Sequence, residues 1–428
     1  MEDFKEIATI LSTEDAFKEA DRCLSCPKPR CRELGCPAQI DIPSFIKCLK
    51  KRDVDAAYRI IMEYTNLSPI CSRVCDYEKQ CIGACILNFK KQPIPVGHLE
   101  RYVQDHKTTE LTPCAHFSDQ KVAIIGAGPA GISCALELVK NGVHAVVYEK
   151  EKHLGGVLAY GIPEYRLPKN VVEEYIAFTK RMGVEYHTKA KVDLAELKKN
   201  YDKVFLACGL GQYKSMHIPG EEGIGVYKAG DFLRAVNLKE GYHEGKGIAL
   251  KGITYVVGAG NVAMDSCRTS LRVGSEKTYI VYRRSIEEAP ASKEEIKDAM
   301  DEGVIFNFLH NPVEILLKAG KVCAVKCEVM ALGEPDESGR KKPVGTGTFE
   351  TYPCDNVILA IGQNPDSDFT EHLGLTTNHG YIVSEDGLST NDPQVLAGGD
   401  IVRGADTVVH AMVDGKKAAQ KMLAEFSK

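Results

Sequence analysis

Hydrophobic positions change their period partway along the 428-residue chain. Up to about residue 115, apolar residues recur at helical spacing. Phe17 and Ala20 follow a Ser12-Thr13 start with acids in the first turn, and Phe45, Ile46, Leu49, Ala56, Ala57, Ile60 and Ile61 come next. This spacing predicts helices over residues 13–22 and 42–61, the second broken near Arg52-Asp53. Residues 107–117 show no clear period and read as a linker. From Lys121 the pattern becomes strand, turn, helix. The run KVAII enters Gly126-Ala127-Gly128-Pro129-Ala130-Gly131 and leaves in a helix carried by Ile132, Ala135, Leu136 and Val139. A second such unit starts at Ile253, with Gly258, Gly260 and Ala263 in the corresponding places and Asn261-Val262 opening its helix. Strand-plus-glycine endings at residues 203–209 and 356–362, closing on Gly209 and Gly362, suggest a second fold inserted within a first. Crossovers of this kind imply parallel sheets. Residues 332–347, LGEPDESGRKKPVGTG, are polar and turn-rich and read as an excursion between strands.

Each glycine of the first turn has its own task. Gly126 permits the tight turn, Gly128 lets the backbone approach a pyrophosphate, and Gly131 lets helix and strand pack closely. Glu149, followed by Lys150, closes the next apolar run 18 residues after Gly131, where a carboxylate takes a ribose hydroxyl pair. The second unit has Tyr282-Arg283-Arg284 in that place, Arg283 lying 20 residues after Ala263. A guanidinium there suits a ribose 2′-phosphate, so NADPH is expected in preference to NADH; the bland alternative is a solvated Arg pair closing a strand.

Composition removes several classes. With 44% hydrophobic residues, 26% charged and a net charge of −5, nothing points to nucleic acid or an anionic membrane as partner. The longest apolar stretch, residues 122–139, is interrupted by Gly, Pro and Glu137, so no membrane span is expected. The opening MEDFKEIATI is too acidic for a targeting peptide, and a cytoplasmic protein is expected.

Cysteine is the outlier, with nine of 16 between Cys23 and Cys85. They include two quartets, Cys23-x2-Cys26-x4-Cys31-x4-Cys36-Pro37 and Cys71-x3-Cys75-x5-Cys81-x3-Cys85. Short gaps ending in Cys-Pro approximate the bacterial ferredoxin run, in which the fourth cysteine crosses to the other cluster. Structural zinc is the competing metal. Flavoproteins of the disulfide-reductase type carry a Cys-x4-Cys beside the flavin. Here that stretch contains Gly155-Gly156 and no cysteine, and Cys134 and Cys208 stand singly. Electrons arriving there are therefore expected to leave through the cysteine-rich region. Near the C-terminus, Gly398-Gly399-Asp400 precedes a helix starting after Gly404, at about Thr407-Val408. The acid is placed for a ribityl or pyrophosphate group, or is a turn residue, and a helix N-terminus favours a reduced, anionic flavin.

The blocks RCLSC, GCPAQIDIPSFI, GIPEYRLPK, AGNVAMD, YRRS, LGEPDESGRKKPV, AIGQNP and GGDIVRGADTVVHAMVDGKKAA together resemble the glutamate synthase small (beta) subunit family. Its relatives include the flavin subunit of bacterial dihydropyrimidine dehydrogenase and the large subunit of NADH-dependent ferredoxin:NADP oxidoreductase. The resemblance implies FAD on the first fold, through Gly126, Gly128, Gly131, Glu149, Gly155, Gly156 and Asp400. It implies NADPH on the second, through Gly258, Gly260, Arg283 and Arg284. It further implies two [4Fe–4S] clusters, one held by Cys23, Cys26, Cys31 and Cys85. The other takes Cys36, Cys75, Cys81 and Glu100, leaving Cys71 out; the bland view makes Glu100 an exposed helix acid. The four-residue gap between Cys31 and Cys36 departs from the three of most relatives.

The expected architecture is α/β, with two Rossmann-like dinucleotide-binding domains, the second inserted in the first, preceded by an α-helical iron–sulfur domain. The expected boundaries are 1–118 for the cluster domain, 119–234 with 356–428 for the FAD domain, and 235–355 for the NADP domain. The implied activity is hydride transfer from NADPH to FAD, then single electrons through the clusters to a larger catalytic or electron-accepting subunit. Stacking and orientation suffice for the hydride step, so no catalytic acid, base or nucleophile is expected. The rival readings are the other two relatives and, outside enzymes, a zinc-bearing dinucleotide sensor.

Overall fold

The computed structural model describes residues 4–8, 10–238, 247–337 and 339–427. The chain forms two compact units. One comprises Glu6–Ala159, Tyr165–Gln212 and Asn364–Lys428, the other Met1–Lys5, Tyr160–Glu164 and Tyr213–Gln363.

The first unit opens with helices set by their caps. Ser12 accepts from the Asp15 N–H at 3.1 Å and starts α1, Thr13–Asp21. The run expected over 42–61 is two helices, α2 (Ile42–Lys50) and α3 (Val54–Tyr64). Between them Arg52 is left-handed (φ 64°), and Asp53 caps α3 by accepting from Ala56 N–H at 2.9 Å. Helices α4 (Ser68–Val74) and α5 (Val96–His106) complete the bundle. Phe45, Ile46, Leu49, Ile61, Leu99 and Val103 fill its core.

Strand β1 (Lys121–Ile125), helix α6 (Pro129–Lys140) and strands β2 (His144–Glu149), β3 (Glu185–Thr188) and β4 (Lys203–Leu206) follow. The sheet runs 395–397, β4, β1, β2, β3, with every pairing parallel. Ile125 is level with Tyr148 on one side and Leu206 on the other, so the glycine turn leaves the sheet at the carboxyl ends of its central strands. The helical region is built onto this sheet's helices. Asn66, fully buried, donates to Ser133 O at 3.1 Å and to Glu137 Oε2 at 3.0 Å on α6. The C-terminal helix Val408–Phe426 lies so close to α6 that a Cβ on Gly415 would stand 2.0 Å from Ala130 O.

The second unit holds another parallel sheet, in the order 226–228, 356–359, 253–257, 277–282, 305–308. This overturns part of the expected division of the chain. Residues 356–359 do not resume the first fold; they pair with Thr254–Val257 on one side and Val226–Lys228 on the other. All four are buried, as a strand flanked on both sides requires. Each strand-plus-glycine ending thus closes its own fold, and the main segment of the second unit runs over 213–363 instead of 235–355. The expected polar excursion at 332–347 is also largely strand. His310–Lys318, Lys321–Pro335 and Lys341–Pro353 form an antiparallel sheet, leaving only residues 336–340 between the two long strands. Its last strand is an exposed edge, whose polar, glycine-bearing composition hides the strand period. Within 332–347, Ser338 lies outside the described residues.

Candidate flavin, nicotinamide and iron–sulfur sites

The first glycine turn is shaped as a cradle. Gly126 adopts φ 106°, and a Cβ there would stand 2.4 Å from Ala207 O. A Cβ on Gly131 would meet Gly126 O at 1.9 Å, so α6 can approach the turn only without one. At Gly128, by contrast, a Cβ would find nothing within 4 Å. That open space faces the start of α6, where Gly128 provides no side-chain cap and the first-turn N–H groups beyond Pro129 are available to an anion. Glu149 holds the turn's rim: Oε2 accepts from Ala127 N–H at 2.9 Å and Oε1 from Glu151 N–H at 2.9 Å. Each oxygen keeps a lone pair for a ribose hydroxyl. Gly155 donates to Ala127 O at 2.8 Å, and a Cβ on Gly156 would lie 2.9 Å from Gly128 Cα, so this glycine pair lies against the turn. Lys150 is exposed beside it, and Gly209 (φ 65°) follows β4.

Gly399 (φ 76°) brings the C-terminal turn to within 3.3 Å of Ala130 Cβ, measured from an added Cβ. Burial pushes the neighbouring Asp400 carboxyl up to about 7. Thr407 caps the helix that begins at Val408, its Oγ1 lying 2.8 Å from His410 Nδ1. The sequence did not flag Asp414, which accepts from Gly399 N–H at 2.9 Å and from Arg403 Nε at 2.9 Å. Its position on the helix one residue before Gly415 was the only sign. A dinucleotide fits the cradle defined by Gly126, Gly128, Pro129, Ala130, Gly131, Glu149, Gly155, Gly156 and Gly399.

The second fold repeats the first turn's geometry. Gly258 (φ 127°) would clash with Ala360 O at 2.4 Å if it carried a Cβ, Gly260 would meet only Pro290 Cγ at 3.7 Å, and Ala263 is buried. Asn261 and Val262 are exposed at the helix start. The arginines differ from expectation. Arg283 is exposed, but Arg284 is buried, donating from Nε to Lys341 O at 2.9 Å and pairing with Asp336 at 2.5 Å. Its guanidinium is committed to the hairpin, which removes it from the nucleotide-binding set. Gly362 (φ 98°) ends the second fold's own strand, near Lys214.

The cysteines sort into two groups in space. Cys23, Cys26, Cys31 and Cys85 line one cavity with Ile42, Ile46, Ile94 and Val96. Burial, then the Cys85 charge, push the Cys31 thiol up to about 12, and Cys23 and Cys26 act in the same direction. Burial raises Cys36 to about 12, reinforced by Glu100 and Cys75; Cys81 is raised by burial, then by Cys36, Cys75 and Glu100. Ionising four such thiols in low dielectric requires a positive group among them, which an iron–sulfur cluster would supply. Among the described residues, no three His, Cys, Asp or Glu side chains close on one point as ligands of a single ion would. A cluster, which takes one protein ligand per iron, does not ask this of them.

Glu100 is buried on α5, not exposed. Its Oε1 accepts from Ser68 Oγ at 2.6 Å, and burial pushes the carboxyl up to about 7. Cys71 is buried on α4 and hydrogen-bonded to Cys75, and it is not among the groups that act most strongly on Cys36 or Cys81. Sequence reasoning gave no role to Ser68 or to Gln104, which donates to Ser68 Oγ at 2.8 Å.

Residues 120–415 match the family described as pyridine nucleotide-disulphide oxidoreductase, and residues 1–112 the family described as dihydropyrimidine dehydrogenase domain II, 4Fe-4S cluster. The fold is similar to Mycobacterium tuberculosis FprA in complex with NADPH, with a TM-score of 0.62 and 20% identity over 72% of this chain and 85% of that one. With its two dinucleotide folds and cysteine domain, the molecule is an NAD(P)H-dependent flavoprotein oxidoreductase carrying an iron–sulfur domain. The chain is 37% identical to the glutamate synthase [NADPH] small chain of Escherichia coli K12, covering 98% of this chain and 93% of that one. The Halomonas elongata small chain is 36% identical with the same coverage. The NADPH-Fe(3+) oxidoreductase subunit beta of Geobacter sulfurreducens is 36% identical over 90% of this chain and 62% of its own length. The chain belongs to the glutamate synthase small-subunit family. Among the described residues, no helix is long and apolar enough to cross a membrane.

Proposed function

We propose that this chain is the electron-input subunit of a larger cytoplasmic complex, with two [4Fe–4S] clusters leading from its flavin to a partner. When bound, NADPH supplies a hydride, FAD accepts it as a pair of electrons, and the clusters carry electrons singly. The chain's residues bind and orient. Gly128 and the uncapped start of α6 hold the FAD pyrophosphate, while Glu149 fixes the adenosine ribose. Asp400 and the capped helix at Thr407 lie toward the flavin end. On the second fold Gly258, Gly260, Asn261 and Val262 hold the NADPH pyrophosphate, and Arg283 meets the 2′-phosphate. Cys23, Cys26, Cys31 and Cys85 hold one cluster, and Cys36, Cys75, Cys81 and Glu100 the other.

The carrying observation is the sorting of seven cysteines and Glu100 into two groups, inside the same compact unit as the flavin turn. Electron acceptors placed there need no thiol pair beside the flavin. Purified protein should be brown, contain FAD and hold about eight irons per chain. Colourless protein containing zinc would exclude the reading and favour the sensor. A protein with about four irons would leave one cluster and reject the second ligand set. The partner is expected to be a larger redox subunit, as the name glutamate synthase small chain suggests for the relatives.

A further inference from the structure

Behind the second ligand set runs a short hydrogen-bonded chain. Ser68 is the first residue of α4 and fully buried, with Oγ 2.6 Å from Glu100 Oε1. Gln104 follows Glu100 by one turn of α5, and its Nε2 lies 2.8 Å from Ser68 Oγ. Residues four apart on a helix share a face, so the two side chains reach Ser68 together. The hydroxyl has one proton. Directed at Glu100, it leaves its oxygen to accept, and the partner must then present a donor. Gln104 presents its amide nitrogen, although its own oxygen is buried and has no hydrogen-bond partner among the described residues. The amide is turned toward what it donates, and its acceptor goes unmatched.

We infer that Ser68 and Gln104 are positioning residues for the second cluster. Gln104 fixes the sense of the Ser68 hydroxyl, and Ser68 holds Glu100 Oε1 as an acceptor, leaving Oε2 for iron. A hydrogen bond donated to an anionic ligand draws charge away from the metal and favours the reduced state. The chain therefore raises the reduction potential of this cluster, while the all-thiolate cluster is untouched. The inference rests on Glu100 being a ligand.

The test is an EPR-monitored redox titration of the full chain loaded with FAD and iron. Ser68→Ala should lower the potential of one cluster signal and leave the other in place, and Ser68→Thr, which keeps the hydroxyl, should restore it. Gln104→Leu, which is uncharged and cannot donate, should shift the same signal in the same direction. Equal shifts of both signals would overturn the inference. If Glu100→Ala leaves both signals and the iron content unchanged, Glu100 is no ligand and the underlying reading fails. If Glu100→Ala alters one cluster while Ser68→Ala and Gln104→Leu leave every potential unmoved, the ligand stands and the positioning role is overturned.

Discussion

Gly128 and Gly131 lie three residues apart and fail in different ways when given a side chain. Gly131→Ala drives a methyl to 1.9 Å from Gly126 O, so the fold itself should be destabilised, by about 1–3 kcal/mol as for other overpacked sites. Gly128→Ala meets no protein atom within 4 Å and keeps an ordinary backbone, so unfolding should be nearly unchanged while FAD is lost. Denaturant melts and flavin content separate the two; a Gly128→Ala protein retaining full FAD would contradict the cradle.

The arginines divide likewise. Arg283→Ala should lower kcat/KM for NADPH roughly 10- to 150-fold, the worth of one charge-assisted hydrogen bond, and leave NADH rates alone. Arg284→Ala should instead cost about 1–3 kcal/mol in stability by removing its bonds to Asp336 and to the Lys341 carbonyl. Equal wild-type kcat/KM for both nucleotides would defeat the 2′-phosphate assignment. That the two neighbouring arginines differ was not legible in YRR, because Asp336 lies 52 residues downstream of Arg284 and only the hairpin brings it back.

Asp400 predicts a pH dependence. Its folded-state carboxyl titrates at about 7, above the ordinary 3.8, because it is buried. Between those values the unfolded chain has released the proton and the folded chain has not, so this group makes stability fall as pH rises from about 4 to about 7. Asp400→Asn should abolish that contribution. In flavin-stripped protein, the variant should gain on wild type by a few kcal/mol between about pH 4 and about pH 7. A constant difference across the range would rule the effect out.

At the level of elements, the glycine turns and parallel strands were readable because their causes are local. A strand of β-branched residues, a glycine turn and an apolar helix need no distant partner to be recognised. Strand partnership is different. Lys203–Leu206 and Asn356–Leu359 have similar sequences, and only pairing with β1 or with Thr254–Val257 assigns each to its sheet. The edge strand Lys341–Pro353 was missed because it buries neither face and so shows no alternation. The corrected boundary has a consequence. Residues 213–363 have apolar clusters of their own, around Phe232, Val256 and Ile280 and around Tyr255, Val325 and Val357. Expressed alone, this segment should unfold cooperatively and bind NADP⁺ detectably by calorimetry. A segment that unfolds without a transition would deny it the standing of a domain.

For the whole molecule, the match of residues 1–112 to a 4Fe-4S family agrees with reading the cysteine cluster as metal ligation, but spacing alone does not tell Cys71 from Glu100. That choice depends on α4 and α5 meeting at the Ser68–Glu100 contact, from positions 32 residues apart. The same compact unit joins the helical region to the flavin fold through Asn66, with one buried amide bonded to two groups of α6. Cluster domain and first fold therefore stand or fall together, whereas the nicotinamide fold has an independent core.

The stem of the inserted unit closes on itself. Gly211 N–H donates to Asn364 O at 3.2 Å on one side of the crossing, and Lys214 N–H to Gly362 O at 3.1 Å on the other. An insert whose two ends meet closes its own loop at the crossing, while residues 160–164, far from 213–363 in sequence, belong to the same unit. Changes of length within 213–363 are therefore expected to leave the pairing of β1 with β2 and β4 as it is.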